Sequence, residues 1–421
     1  QNSGFSVGLI NIKQPTHKDY NAVFWFNILM GGSLYLLLVA CAPLIAWYYN
    51  EPRLTSLCRY AFLTVVMSSM GTAQSAYLTK NMKVKEMAKT GMTAVLVSSI
   101  VGVCMAYFGM GYWALASQSI VFIGMNSLLL WVFSDWRPTF EFDFSPIKRM
   151  FRFSVKMLAT NIINHVNNNV LNILLGKYYS TTATGYYNQA YQWNFKLFSL
   201  VQGMLYQVTQ PMLVSLREEP GRQLNALRKL IRFTAFLSFP LLLGFGLVST
   251  EFISVTITDK WLPAAKLIKI LCVGGAVMPL HTALSYMVIT KGRSDINFWC
   301  TIGLGLVEML IMITIWQLGI TTMVVAYTSI NVAWVLVWHF FVRRLTGYSL
   351  LHLLMDTVPF ALAAFGVMAL SYVATMSITN NWLLLAARIP MAVVLYFVVM
   401  KVARVKILDE CLQFAKRKVK H

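Results

Sequence analysis

Apolar stretches of about 20 residues recur along nearly the whole chain, the length a helix needs to cross a hydrocarbon core of about 30 Å. They fall near 22–48, 54–78, 88–108, 113–134, 151–175, 184–212, 229–249, 264–289, 295–318, 320–342, 353–378 and 382–400. The polar connections between them are short, the longest being 135–149 and 214–228. This pattern predicts an all-α integral membrane protein of about twelve transmembrane helices.

The basic residues alternate between loops. Lys13 and Lys18 precede the first span, Lys80 to Lys89 follow the second, and Arg137 to Lys156 follow the fourth. The same side receives Arg217 to Arg232, Lys291 with Arg293, Arg343 with Arg344, and the basic tail. The positive-inside rule makes that side cytoplasmic and puts both visible ends there.

An offset of about 210 residues aligns Gly109–Ile120 with Gly319–Ile330, and the stretch ending Leu78-Thr79-Lys80 with that ending Ile289-Thr290-Lys291. Such a repeat suits two pseudo-symmetric helical lobes related by an axis along the membrane normal. Six spans lie between about 150 and 343, but only four before 135. The expected organisation is therefore a lobe over 1–134 lacking its first helix and most of its second, a cytoplasmic linker at 135–149, a six-helix lobe over 150–345, two additional helices over 346–400, and a basic cytoplasmic tail at 401–421. The intact protein would have fourteen helices, and Gln1–Ile10 would end its second.

Composition agrees: 57% of the 421 residues are hydrophobic and 12% charged, whereas soluble domains carry roughly 25% charged residues. The net charge of +20 is dispersed over loops, so it sets topology and implies no nucleic-acid partner. Cys41, Cys58, Cys104, Cys272, Cys300 and Cys411 lie far apart, with no CxxC pair, and predict neither disulfide framework nor metal site. No Walker loop, GxSxG or HExxH is present, so no catalytic residue and no cofactor is expected.

Polar residues inside spans cost a few kcal/mol each and mark cavities or helix contacts. Asn161, His165, Asn168 and Asn172 are spaced four, three and four apart and share one helical face, with Asn164, Asn167 and Asn169 beside it. The next span adds Gln189, Gln192, Lys196 and Ser199 on one face. Lys196 lies about 18 Å into its helix at 1.5 Å per residue, near the bilayer centre. Interhelical hydrogen bonding explains any single Asn; the two stripes with a lysine among them point to a water-filled substrate cavity. Arg388 and Arg59 are further cationic candidates; Arg388 is able to snorkel to the surface or point inward, and Arg59, near the outer end of the second span, reads as snorkelling. Glu308, near the middle of its span, and His165 are candidates for ion coupling, whereas His281 reads as a packing histidine. Ser215–Arg232 and Lys401–His421 read as basic amphipathic stretches in the headgroup region, in contact with membrane lipids.

Gly185-Tyr186-Tyr187-Asn188-Gln189-Ala190-Tyr191 after Leu175-Gly176-Lys177, then Phe239-Pro240-Leu241, Lys260-Trp261-Leu262-Pro263-Ala264-Ala265 and Lys291-Gly292-Arg293-Ser294-Asp295 form an ordered series, to which Gly111-Tyr112-Trp113-Ala114-Leu115 adds. In these the chain resembles the polysaccharide biosynthesis flippases, the lipopolysaccharide and colanic-acid exporter branch of the multidrug/oligosaccharidyl-lipid/polysaccharide superfamily. The resemblance implies two lobes around a central cavity lined by the first two helices of each lobe. It implies alternating-access export of a polyprenyl-diphosphate-linked oligosaccharide (an O-antigen, capsule or exopolysaccharide unit) across a bacterial inner membrane, with the pathway's polymerase and glycosyltransferases as further partners. Many relatives carry an acidic residue in the span that here has Asn167, Asn168 and Asn169, and the chain departs from the pattern there. The other readings are a cation-coupled multidrug or small-metabolite antiporter of the same fold, which needs an intramembrane carboxylate, and a membrane glycosyltransferase or polymerase, which needs catalytic carboxylates or an Arg-rich outer loop.

Overall fold

A computed structural model describes Leu9 and residues 15–81, 83–216, 218–405 and 407–408. The chain divides into two compact units, Gln1–Ile162 and Ile163–His421. Its helices are α1 (His17–Tyr49), α2 (Leu54–Ala61), α3 (Leu63–Met70), α4 (Thr72–Lys80), α5 (Val84–Tyr107), α6 (Tyr112–Phe133), α7 (Ser145–Tyr178), α8 (Thr181–Ser215), α9 (Pro220–Thr256), α10 (Leu262–Thr290), α11 (Ser294–Ile315), α12 (Ile320–Thr346), α13 (Leu350–Ala374) and α14 (Asn381–Val402). Each predicted span has its helix. Nine helices among the described residues are long and apolar enough to cross a membrane. The other predicted spans are the broken segment 54–80 and the two helices bearing the polar stripes, α7 and α8.

In the first unit α1 packs on α2, α3 and α4, and α6 packs on α3 and α5. The predicted second span is interrupted at Phe62 and Gly71. At Gly71 the cause lies in α6: Ser127 Oγ donates to the Met67 carbonyl at 2.8 Å and Trp131 Nε1 to the Met70 carbonyl at 2.8 Å. Side chains inserted into the i to i−4 ladder in this way break helices. The loop after α6 is strapped to the start of α1. Asn21, 3% exposed, donates to the Glu141 carbonyl at 2.7 Å and accepts from the Thr139 amide at 2.9 Å. Trp25 Nε1 donates to the Thr139 carbonyl, and the rings of Tyr20, Phe24 and Trp136 close the cluster. Lys83 pairs with Asp135 at the same loop; the ammonium holds that carboxyl below its usual range.

In the second unit α10 is the central helix, most of it buried against α8, α9, α11 and α12. The α13–α14 pair packs on α9, and α7 joins the core through Val170, Leu171, Leu174 and Leu175. Pro240 inside α9 has no N–H for the Phe236 carbonyl. Tyr396 of α14 supplies the missing donor, its hydroxyl lying 3.0 Å from that oxygen.

Two ionic clusters bound this unit along the helix axes. At one end Asp356 of α13 takes Arg228 and Arg232 of α9; at the other Arg388 of α14 takes Glu251 of α9 and Thr375 at the end of α13. Glu251 lies nineteen residues beyond Arg232, and Thr375 nineteen beyond Asp356. On both helices that is about 28 Å at 1.5 Å per residue, close to the hydrocarbon thickness of about 30 Å. The clusters therefore mark the two membrane interfaces of this unit, both ends of its helices being anchored by charge.

Tyr396→Phe removes only the hydroxyl that satisfies the Phe236 carbonyl. It is expected to cost about 1–3 kcal/mol, the penalty for a buried unpaired acceptor, read as a lower thermal midpoint in detergent with transport retained.

Candidate functional site

The two polar stripes are helical, as their spacing predicts, but their members have different environments. Asn167 is drawn into packing: its Nδ2 donates to the Thr301 carbonyl of α11 at 2.7 Å. Gly305 makes this approach feasible, because a Cβ there would overlap the Asn167 amide. Asn169 Nδ2 bonds back to the His165 carbonyl of its own helix at 2.9 Å. His165 and Asn168 are exposed, and Asn172 is half-buried with an unpartnered Oδ1. The side chain of Asn161 lies outside the described residues.

On α8, Gln192 and Lys196 are exposed and Gln189 is half-buried. The Lys196 ammonium stands 4.6 Å from the centre of the Trp193 ring, within cation–π range. Trp193 in turn packs on Phe245 and Phe252 of α9. Phe245 lies on the hydrocarbon side of the Glu251 level and Phe252 one residue beyond it, so Trp193 and the Lys196 ammonium sit toward that end of the hydrocarbon zone. Its charge is not covered by the second unit, and no ion pair engages it among the described residues.

Arg388 points inward. It is 2% exposed, with Nη1 2.9 Å from Glu251 Oε1 and Nε 2.8 Å from the Thr375 hydroxyl. The structure thus groups it with Glu251 and Thr375 rather than with the stripes. Arg59 is exposed on α2 in the first unit.

Glu308 of α11 is 2% exposed and accepts from Asn331 Nδ2 of α12 at 2.8 Å. His281 of α10 meets the Asn331 carbonyl at 3.0 Å, a packing contact as its sequence context predicts. Beside this pair lies a cavity of about 10 Å³, near the size that admits one water. Asn194, Thr328 and Asn331 line it, each with a buried side-chain oxygen that has no partner. Gly275 lets Asn194 reach α10, since a Cβ there would collide with that amide. The core of the second unit therefore holds a carboxyl and three acceptor oxygens. Asn194, Thr328, Asn331 and Glu251 escape sequence reasoning because Asn194 lies off the α8 stripe and the others form no stripe of their own; only the helix pairing gives them their surroundings. The five described cysteines are unpaired.

These features define a multi-pass, all-helical membrane protein with polar groups held inside its second unit. The polysaccharide biosynthesis protein family matches residues 1–266, and the chain belongs to that family. It is similar to the teichuronic acid biosynthesis protein TuaB of Bacillus subtilis (strain 168), 25% identical over 79% of this chain and 68% of that one. It is similar to the lipopolysaccharide biosynthesis protein WzxC of Escherichia coli (strain K12), 24% identical over 70% of this chain and 60% of that one. A third relative, the succinoglycan biosynthesis transport protein ExoT of Rhizobium meliloti (strain 1021), is 22% identical over 85% of this chain and 71% of that one. Among solved structures, the lipid II flippase MurJ in its inward closed conformation has the same fold, with a TM-score of 0.76 and 16% identity over 96% of this chain and 88% of that one.

Arg388→Met leaves Glu251 as an uncompensated charge in a nearly buried site. Breaking such a pair costs about 3–5 kcal/mol, while replacing both partners is far milder. The single variant should unfold at a clearly lower temperature, and Arg388→Met with Glu251→Gln should recover most of the loss.

Proposed function

We propose that the chain is the transport unit of a flippase that moves a polyprenyl-diphosphate-linked oligosaccharide across the bacterial inner membrane by alternating access. The observation that carries this reading is Lys196, a lysine within the hydrocarbon zone whose charge no acidic side chain neutralises among the described residues. An ammonium at such depth costs a few kcal/mol unless it meets water or an anion. Exposed Asn168, His165 and Gln192 on the two stripes suit the hydroxyl groups of a glycan, and a lysine suits its diphosphate. The names of the relatives, which concern teichuronic acid, lipopolysaccharide and succinoglycan, agree with a sugar-bearing cargo.

In this mechanism His165, Asn168, Asn172, Gln189, Gln192 and Lys196 line a polar passage, and the lipid tail stays in the bilayer. If roughly two negative charges cross with the headgroup, an inside-negative potential of 100 mV assists export by about 4–5 kcal/mol. The basic loops and both ends face the cytoplasm, 135–149 links the lobes, and the pathway's polymerase and glycosyltransferases act on either side of the step. Glu308, with the acceptor oxygens of Asn194, Thr328 and Asn331 nearby, is the group through which a proton or cation flux couples to the cycle.

Lys196→Ala is expected to reduce export of lipid-linked glycan at least tenfold in a complementation assay with matched protein levels, and Lys196→Arg to keep part of it. Wild-type export by Lys196→Ala would refute the cationic passage. Glu308→Gln keeps the hydrogen-bonding shape but cannot release a proton. Transport in vesicles by this variant should lose its response to an imposed ion gradient while a lipid-substrate gradient still drives exchange; an unchanged response removes Glu308 from coupling.

A further inference from the structure

The ionic cluster at the basic end of the second unit has more cation than its structural role requires. Asp356, 2% exposed, accepts Arg228 Nε at 2.9 Å and Nη2 at 3.2 Å, Arg232 Nε at 2.7 Å, and the Tyr348 hydroxyl at 3.0 Å. One carboxylate thus stands against two guanidiniums, and one positive charge is left over. Arg228 Nη1 and both Nη groups of Arg232 make no hydrogen bond among the described residues. Both arginines remain partly open, with side chains 23% and 42% exposed. By the spacing to Glu251 they lie at the boundary between hydrocarbon and headgroups. One turn further along α9, Phe236 begins the lining of a mostly apolar, partly open pocket of about 350 Å³ that continues over Leu237, Pro240 and Gly244, with Ala392 and Tyr396 of α14 across from them and Arg388 at its far end.

Spare guanidinium donors at headgroup depth, directly below an apolar recess, match an amphiphile with an anionic phosphate. We propose that Arg228 and Arg232 bind the phosphate of an anionic phospholipid from the leaflet on the basic side, with an acyl chain against the mouth of the pocket. The charge decides between phosphate sources. A phosphodiester with a neutral headgroup carries one negative charge and cancels the one left over, whereas a lipid diphosphate carries about two and would stay half-compensated. Asp356 then has a second use: it fixes the Nε edges of both arginines, so their free edges are presented together at no further ordering cost. The site is independent of transport, and only the name of the leaflet rests on the orientation proposed above.

The full chain in nanodiscs of phosphatidylcholine with or without phosphatidylglycerol provides the test, read by native mass spectrometry and by thermal midpoint. Wild type should retain phosphatidylglycerol preferentially and melt higher in its presence. Arg232→Ala should lower that retention about tenfold, as expected for a lost charge-assisted pair of bonds, and abolish the melting gain. Its midpoint in phosphatidylcholine alone should stay near wild type, because Arg228 and Tyr348 still satisfy Asp356. Arg344→Ala, which removes an exposed cation lying over Phe340, should leave retention unchanged. Full retention by Arg232→Ala, or equal loss in Arg344→Ala, would overturn the site in favour of diffuse charge attraction. Displacement of phosphatidylglycerol by equimolar geranylgeranyl diphosphate would overturn the lipid assignment in favour of the diphosphate. A failed transport assay with intact lipid retention would count against the flippase reading alone.

Discussion

Every polar group placed in hydrocarbon must find its partner within the protein, and the second unit is organised around that constraint. Its ion-paired charges on α9, α13 and α14 sit toward the two ends of these helices, where Asp356 and Arg388 each gather partners from two other helices or helix ends. Between them the helices meet almost entirely through apolar surface. Where the backbone itself is broken, a specific side chain repairs it: Tyr396 for the carbonyl freed by Pro240, and in the first unit Ser127 and Trp131 for the carbonyls freed at Gly71. Stability here depends on a few hydrogen bonds in place rather than on the amount of apolar area, since lipid is as apolar as the helix faces.

The same constraint separates structural polar groups from candidate functional ones. Asn167, Asn169, His281 and Arg388 have their partners in the unit. Among the described residues the Lys196 ammonium meets the face of Trp193 and no acidic side chain, and Asn172, Asn194, Thr328 and Asn331 each keep an unpartnered oxygen. Unpaired groups in a dry interior are expensive; others are scattered over α9, α12 and α13, but Asn194, Thr328 and Asn331 share one small cavity, where water or an ion has a place to bind.

The spans were legible because hydropathy over 20 residues is a strong signal, and all twelve have helical counterparts. The break at Gly71 was not, because its cause is two side chains sixty residues away on α6. The polar stripes on α7 and α8 were visible as periodicity, and their division into glue and free groups was not, because it depends on which neighbour is a glycine: Gly305 receives Asn167 and Gly275 receives Asn194. Arg388 shows the same limit. Its depth in the last span could be read from the chain, but its partner Glu251 lies 137 residues earlier, and no local pattern connects them.

The two charge clusters also differ from each other in a way that bears on mobility. Arg388 and Glu251 balance one for one and are nearly sealed, so the end of the unit they hold is a closed joint between α9, α13 and α14. Arg228, Arg232 and Asp356 are unbalanced and partly open, and under the proposal above a lipid phosphate completes that end. A helical unit fixed internally at one interface and finished by the bilayer at the other is free to tilt as a body while its own packing is preserved, which is the property that rocking of a lobe requires. Polar groups that had to re-pair within the unit at every tilt would oppose such motion. The pairs on α9, α13 and α14 join helices of one unit, so a tilt of that unit as a body would leave them intact.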